Sequence, residues 1–81
     1  MGERYHLIKN YELSITNWKI VDLLVEVRLA GSKGEARRLV EQGGVKLDGN
    51  VVKDINKIIK ITKSGMLLQK GKRGFVKVTK K

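Results

Sequence analysis

The sequence contains no cysteine and a single histidine, and each scarcity excludes a class of site. Without cysteine there are no disulfides, cysteine-ligated zinc sites, iron–sulfur clusters or thiol catalysis. Small secreted domains usually need disulfides or structural metal sites for stability, so the absence of cysteine favours an intracellular, cytoplasmic protein. His6 stands alone, and a histidine-based catalytic site would need a partner that the chain lacks.

Long hydrophobic runs and aromatic residues are also scarce. No apolar stretch approaches the ~20 residues of a membrane span, and no signal-peptide core is present. Aromatic residues make up 5% of the chain, which supplies base stacking on a sheet poorly, and the aromatic signature of the RRM fold is missing. No glycine-rich loop ends in Gly-Lys-Ser or Gly-Lys-Thr, so a Walker-type nucleotide site is absent, and no cofactor is expected.

Acidic residues are few against many basic ones. The 81 residues include 18 Lys and Arg but only 8 Asp and Glu, a formal net charge of +10. Residues 1–41 carry a net charge of +1 and residues 42–81 carry +9. This excess and its asymmetry favour a polyanionic partner, either nucleic acid or an anionic membrane surface. The membrane alternative is weaker, because the first predicted helix is apolar but carries few Lys or Arg.

Two predicted helices come first in the chain. Apolar residues spaced three and four apart predict a helix over residues 18–29, capped by Thr16 or Asn17 and ended by Gly31. Ser32 and Glu35 form a capping box for a second helix over residues 33–42. Gly43 and Gly44 end that helix.

The rest of the chain predicts short strands, at about residues 45–47, 51–53, 66–69 and 75–79. An Asp-Gly turn at residues 48–49 joins the first two as a hairpin. Residues 53–64 stay ambiguous between a helical turn and a strand. The expected fold is α+β, with two packed, helix-turn-helix-like helices followed by a small antiparallel sheet. Residues 1–15 are interpreted as a lead-in or linker, partly derived from cloning, and residues 16–81 as a single domain.

Candidate ligand-binding residues lie in two basic clusters. The start of the second helix combines free backbone N–H groups with Lys and Arg, which suits a phosphate, although Glu41 could form a competing salt bridge with the arginines. The turn at residues 71–74 forms the other cluster. A solvated surface is the alternative for each side chain taken alone. The candidate RNA-binding residues are Ser32, Lys33, Arg37, Arg38, Lys46, Lys70, Lys72 and Arg73.

A helix-turn-helix that reads DNA fits these residues less well. The exposed face of the second helix carries Lys, Arg and Glu, which suit backbone contacts rather than base edges. A hairpin follows directly, with no third helix. Recognition of RNA by shape and phosphate contacts fits better.

The run from Leu29 to Val40, Leu-Ala-Gly-Ser-Lys-Gly-Glu-Ala-Arg-Arg-Leu-Val, is followed by Gly-Gly-Val-Lys-Leu-Asp-Gly at residues 43–49. This run resembles the RNA-binding domain named after ribosomal protein S4, whose pattern is Ser-Arg-x-x-Ala-Arg, a hydrophobic pair and Gly-x-Val-x-Val-Asn-Gly. The match covers about residues 20–52. The chain departs from the pattern at Lys33 for Arg, Leu47 for Val and Asp48 for Asn, and lysine lacks the bidentate fork of arginine.

The segment Ile-Val-Asp-Leu-Leu at residues 20–24 and the ending Gly-Lys-Arg-Gly-Phe at residues 71–75 are similar to one branch, the C-terminal domains of bacterial tyrosyl-tRNA synthetases. The resemblance implies a module that binds tRNA(Tyr) and its long variable arm, while a separate domain uses ATP and tyrosine. The His-x-Gly-His and Lys-Met-Ser-Lys-Ser signatures of that domain are absent, so the chain itself is not expected to be an enzyme.

The resemblance also implies an isolated domain that is monomeric and a parent synthetase that is a homodimer. It places the RNA-facing motif at Ser32, Lys33, Arg37, Arg38 and Lys46. The alternative is a stand-alone RNA-binding protein of the same fold that acts on the ribosome.

Overall fold

Two short helices and one face of a five-stranded sheet enclose the core, with a two-stranded sheet beside them. The computed structural model describes residues 8–72 and 74–81, and the following statements concern that part of the chain. The elements are β1 (Lys9–Leu13), β2 (Asn17–Lys19), α1 (Ile20–Glu26), α2 (Lys33–Glu41), β3 (Val45–Leu47), β4 (Asn50–Val51), β5 (Ile58–Lys60), β6 (Met66–Lys70) and β7 (Gly74–Lys80). The predicted α+β class is confirmed.

Helix α1 is shorter than predicted, and the expected span of residues 18–29 is wrong at both ends. Trp18 lies in β2, where it pairs with Ile59. Its spacing of two residues from Ile20 fits a strand as well as a helix, so the pattern alone did not distinguish the two. Lys19 is the N-cap, in an extended conformation with no side-chain hydrogen bond to the helix. The expectation that Thr16 or Asn17 caps this helix is therefore wrong as well.

The C-terminal end of α1 is a left-handed turn at Arg28. The Arg28 N–H donates to the carbonyl of Val25 at 3.1 Å, and the Leu29 N–H donates to that of Leu24 at 2.9 Å. These two bonds form a Schellman motif, in which glycine usually occupies the position that Arg28 takes here at φ 65°. The helix thus ends before Gly31, which was expected to stop it, and Leu29 turns back to pack against the core.

Helix α2 is predicted to within one residue at its end. The Ser32 Oγ accepts a hydrogen bond from the Glu35 N–H at 3.2 Å, as a capping box requires. The Glu35 carboxylate reaches back to the Gly31 N–H at 2.7 Å, one residue before the expected donor. At the other end Gly43, at φ 75°, closes a second Schellman motif, in which the Gly44 N–H donates to the Leu39 carbonyl.

The five-stranded sheet has the order β1-β7-β6-β3-β4. The predicted strands pair antiparallel, and Asp48 and Gly49, both at positive φ, make the tight β3–β4 turn. The segment left ambiguous at residues 53–64 contains β5, which pairs with β2. Strand β1, in the expected lead-in, runs parallel to β7 and makes the sheet mixed. Residues 1–7 lie outside the described residues, and the division at residue 15 stays a prediction.

The core lies between the helices and the inner face of this sheet. Ile20, Leu23 and Leu24 of α1 have no exposed surface, and neither does Val40 of α2. The sheet contributes buried residues that alternate along its strands, namely Val45, Leu68, Val76 and Val78. This alternation sends the intervening side chains of β3, β6 and β7 to the opposite face, which is called the outer face below.

Replacing Arg28 with glycine should stabilise the domain. Glycine adopts φ near 65° without a Cβ clash, and its extra freedom in the unfolded chain offsets only part of that gain. We expect Arg28→Gly to raise the free energy of unfolding by ~0.5–1 kcal/mol, or the melting temperature by several degrees, in a thermal melt followed by circular dichroism.

Arg28→Ala is the matched control, because it removes the same charge but keeps the Cβ. It should not raise the melting temperature. Equal melting temperatures for the two variants would show that the left-handed residue carries no strain.

Candidate nucleic-acid interface

Helix α2 presents its basic side chains away from the core. Ala36 and Val40 are buried, whereas Lys33, Arg37 and Arg38 are exposed. Residues four apart lie one above the other on a helix, so Lys33 and Arg37 form one ridge and Arg38 lies on the adjoining side. The structure therefore brings these three predicted residues onto one exposed surface.

The competing salt bridge that Glu41 could form with Arg37 or Arg38 is not present among the described residues. Within residues 8–72 and 74–81, the ion pair found joins Lys33 Nζ to Asp22 Oδ1 at 3.4 Å. Both arginines are thus available for the bidentate contacts that guanidinium makes with phosphate.

The N-terminus of α2 is already surrounded by carboxylates. The Ser32 hydroxyl caps the helix, and Glu35 binds the Gly31 N–H. Lys33 is paired with Asp22, although its side chain is 72% exposed and such a pair contributes little energy. A phosphate at this end would meet two carboxylates as well as Lys33, so the flank of the helix at Arg37 and Arg38 is the better anion site.

The lysines expected to extend this surface lie on opposite faces of the sheet. Lys46 is on the outer face, because it pairs with Gln69 and alternates with the buried Val45. Lys70 pairs with Val45 and is half-buried on the inner face. Lys72 follows in the β6–β7 turn, and Arg73 lies outside the described residues. The sequence did not show this separation, because it depends on strand register.

An open hollow of about 550 Å³ lies on the side of Lys70, lined by Arg28, Leu29, Lys70, Lys72 and Gly74. Its three basic side chains come from two distant parts of the chain. Sequence reasoning missed Arg28, because the helix predicted over residues 18–29 includes this position. A signal was present, since a basic residue stands in the connection that leads directly into Ser32.

The turn that carries Lys72 is attached to the end of α2. The Gly71 N–H donates to the carbonyl of Gly44 at 2.8 Å, and the Gln69 Nε2 donates to the carbonyl of Gly71 at 2.7 Å. These bonds fix the second basic cluster beside the helix end. The hollow lined by Arg28, Lys70 and Lys72 therefore adjoins the turn that is attached to the end of α2.

Neither a metal centre nor a membrane span accounts for this surface. In the described part of the chain, no group of three or more His, Asp or Glu side chains is arranged to hold a metal ion. The helices there are too short and too polar to cross a membrane. The expectation that the chain needs no cofactor stays a prediction.

The family model of the S4 domain matches residues 18–70, which span β2, both helices and the strands up to β6. The chain belongs to the S4 family of RNA-binding domains. The resemblance predicted from the run at residues 29–49 is thereby confirmed. Strands β1 and β7, which pair with each other, lie outside the matched region of this S4 domain.

The S4 domain is also similar to curated tyrosine–tRNA ligases. It is 47% identical to the tyrosine–tRNA ligase of Thermotoga maritima over 60 residues, which cover 74% of this chain and 15% of the relative. It is 38% identical to that of Chlorobaculum tepidum over 61 residues, 75% of this chain and 15% of the relative. It is 36% identical to the ligase of Chlorobium chlorochromatii over 70 residues, which cover 86% of this chain and 17% of the relative. The chain thus spans about a sixth of the length of these relatives.

The carboxylate of Glu35 should weaken RNA binding by the S4 domain. Glu35→Gln keeps an oxygen that can accept from the Gly31 N–H but removes a negative charge beside the basic face of α2. We expect RNA affinity to rise by ~2- to 5-fold at low salt, the scale of a single charge at a helix terminus. Fluorescence anisotropy with a labelled RNA measures it.

Glu26→Gln is the control, since it removes the same charge from the exposed end of α1. Equal affinities for the two variants would show that the N-terminus of α2 lies outside the RNA interface.

Proposed function

We propose that this S4 domain binds tRNA(Tyr), including its long variable arm, as the RNA-binding module of a tyrosine–tRNA ligase. The similarity to curated tyrosine–tRNA ligases over 73–86% of the chain carries the proposal. Tyrosine activation with ATP and transfer to tRNA belong to a separate catalytic domain in this proposal. It also places the protein in the cytoplasm, with a parent ligase that is a homodimer.

The geometry supports recognition through phosphates and shape. The exposed face of α2 carries Arg37 and Arg38, and the hollow beside it adds Arg28, Lys70 and Lys72. These are side chains that bind backbone phosphates of any sequence. Discrimination between tRNAs then depends on where two helical arms place their phosphates, which fits a tRNA with an additional long arm.

Binding should depend steeply on salt and on the variable arm. With ~4 to 6 phosphate contacts, a fourfold rise in salt should weaken binding by roughly two to three decades, because counterions are released from the RNA. At fixed salt, tRNA(Tyr) with its long arm should bind more tightly than a tRNA with a short variable arm. Filter binding over a salt series with both tRNAs measures the two effects.

Two outcomes would contradict the proposal. Equal affinity for both tRNAs would remove the assignment to tRNA(Tyr) but leave general RNA binding in place. An affinity that does not change with salt concentration would contradict the proposed contacts with RNA phosphates.

Arg37 should contribute directly to binding. Truncation by Arg37→Ala should weaken tRNA binding by ~1 to 2 kcal/mol, the scale of one charge-assisted hydrogen bond, and Arg37→Lys should recover part of the loss without the bidentate geometry. Lys60→Ala is the control, because it removes an equal charge from β5 in the two-stranded sheet. Equal losses for the alanine variants at positions 37 and 60 would mean that only net charge matters.

A further inference from the structure

The outer face of the five-stranded sheet carries a row of side chains from four strands. Residues paired across neighbouring strands project to the same face. Val51 pairs with Lys46, Lys46 with Gln69, and Gln69 with Phe75. Lys46, Gln69 and Phe75 alternate with buried core residues in their strands, so this row lies on the face opposite the core.

Phe75 is the unusual member of this row. It is half-buried, but it does not pack against the core, whereas Tyr11 and Trp18 do. Phe75 lies in β7, beyond the region that the S4 family model matches. The family match therefore assigns no role to it.

The outer-face neighbours of Phe75 are polar and basic side chains together with the apolar Leu67, which pairs with Lys77. Gln69 is its direct cross-strand neighbour, and Lys46 is the next in the row, ~10 Å away across two strand spacings. Lys77 lies two residues further along β7, ~7 Å away on the same face. Lys46 and Lys77 are both exposed.

A carboxylate also lies near this surface. Asp48 lines a shallow hollow together with Lys77 and Leu67. Its Oδ1 accepts the Leu67 N–H at 2.9 Å, so the carboxylate is held against the backbone of β6. Glu12 is the other carboxylate of the outer face, but it pairs with Thr79, four residues along β7 from Phe75. The two ammonium groups are therefore the charges nearest the ring in the row and along β7.

An aromatic ring on an open sheet, flanked by an amide and two ammonium groups, fits an unpaired nucleotide. The ring stacks on the base, and the lysines contact the phosphates on either side of it. A protein partner would fit less well, because the apolar side chains of this face (Phe75, Leu67 and Val51) are interspersed with Gln69, Lys46 and Lys77. A fully paired RNA helix would fit poorly too, since its bases are stacked on each other.

We propose that the outer face is a second RNA contact, in which an unpaired base stacks on Phe75 between Lys46 and Lys77. It rests on the proposed function, since it assumes that the domain binds RNA. Helix α2 and the β6–β7 turn contact phosphates of a helical arm. The outer face captures a base that is extruded next to that arm.

The test compares two RNAs, a stem-loop with one bulged adenine and the same stem-loop without the bulge. Phe75→Leu removes the ring but keeps an apolar side chain. It should weaken binding of the bulged RNA by ~5-fold or more and change binding of the other RNA by less than ~2-fold, because stacking requires an unpaired base. Phe75→Tyr keeps the ring and should bind both RNAs like the original chain.

A second measurement does not depend on the stability of the leucine variant. Phe75→Trp places a fluorescent ring on the outer face, and stacking on a base should quench it when bulged RNA is added. The original chain, which contains Trp18, supplies the background signal. Absence of additional quenching in Phe75→Trp would overturn the proposal even if Phe75→Leu failed to fold.

The outcomes separate this inference from the proposed function. If the original chain binds both RNAs and Phe75→Leu affects them equally or not at all, the outer face is not a stacking site and general RNA binding stands. If Arg37→Ala weakens both RNAs while Phe75→Leu weakens only the bulged one, both proposals are supported. If the original chain binds neither RNA, the outer-face contact is overturned, and the salt series with tRNA(Tyr) decides the proposed function separately.

Discussion

The orientation of α2 depends on two left-handed residues, Arg28 before it and Gly43 after it. Each lets two backbone N–H groups bond back to carbonyls of the preceding helix, so the chain reverses within a few residues. The first reversal returns Leu29 to the core and leads into Ser32. The second brings Gly44 to the start of β3. Between these fixed ends, burial of Ala36 and Val40 leaves the arginines of α2 facing outwards.

Acidic and basic side chains occupy different parts of the domain surface, which the net charge alone does not show. The acidic side chains Asp22 and Glu35 gather at the N-terminus of α2, where the helix dipole favours them. Basic groups lie along the flank of α2 and in the hollow beside it. A polyanion would therefore meet carboxylates at the start of the helix and basic side chains at its flank and at the β6–β7 turn. The local charges distinguish one part of the surface from another, which the net charge of +10 does not.

Local signals predicted α2 and its surface well. Ser32 and Glu35 mark its start and the two glycines mark its end, and each signal acts within five residues. The end of α1 could not be predicted in the same way, because arginine has no preference for the left-handed conformation that it adopts there. Trp18 and Ile20 fit a strand and a helix equally by spacing, and the pairing of β2 with β5 across some 40 residues decided between them.

In the candidate interface, too, local helical signals could be predicted from the sequence, whereas long-range strand pairing could not. Helical periodicity alone placed Lys33 and Arg37 on one face, with Arg38 further round the helix. Lys46 and Lys70 look equivalent in sequence, yet strand register places them on opposite faces. Phe75 is likewise assigned to the outer face only by its pairing with Gln69. The composition gives the number of aromatic side chains. It does not show which of them pack against the core and which lie on the outer face.

The parallel alignment of β1 with β7 has a mechanical consequence. Lys9 pairs with Val76 and Leu13 with Lys80, so the chain enters β1 at one end of the pair and leaves β7 at the other. A force that pulls on these two points acts along the strands, and it loads the interstrand hydrogen bonds together in shear. An antiparallel pair pulled from adjacent ends would instead open one bond at a time. Strands β1 and β7 thus carry such a force between them, and both helices lie outside the loaded pair.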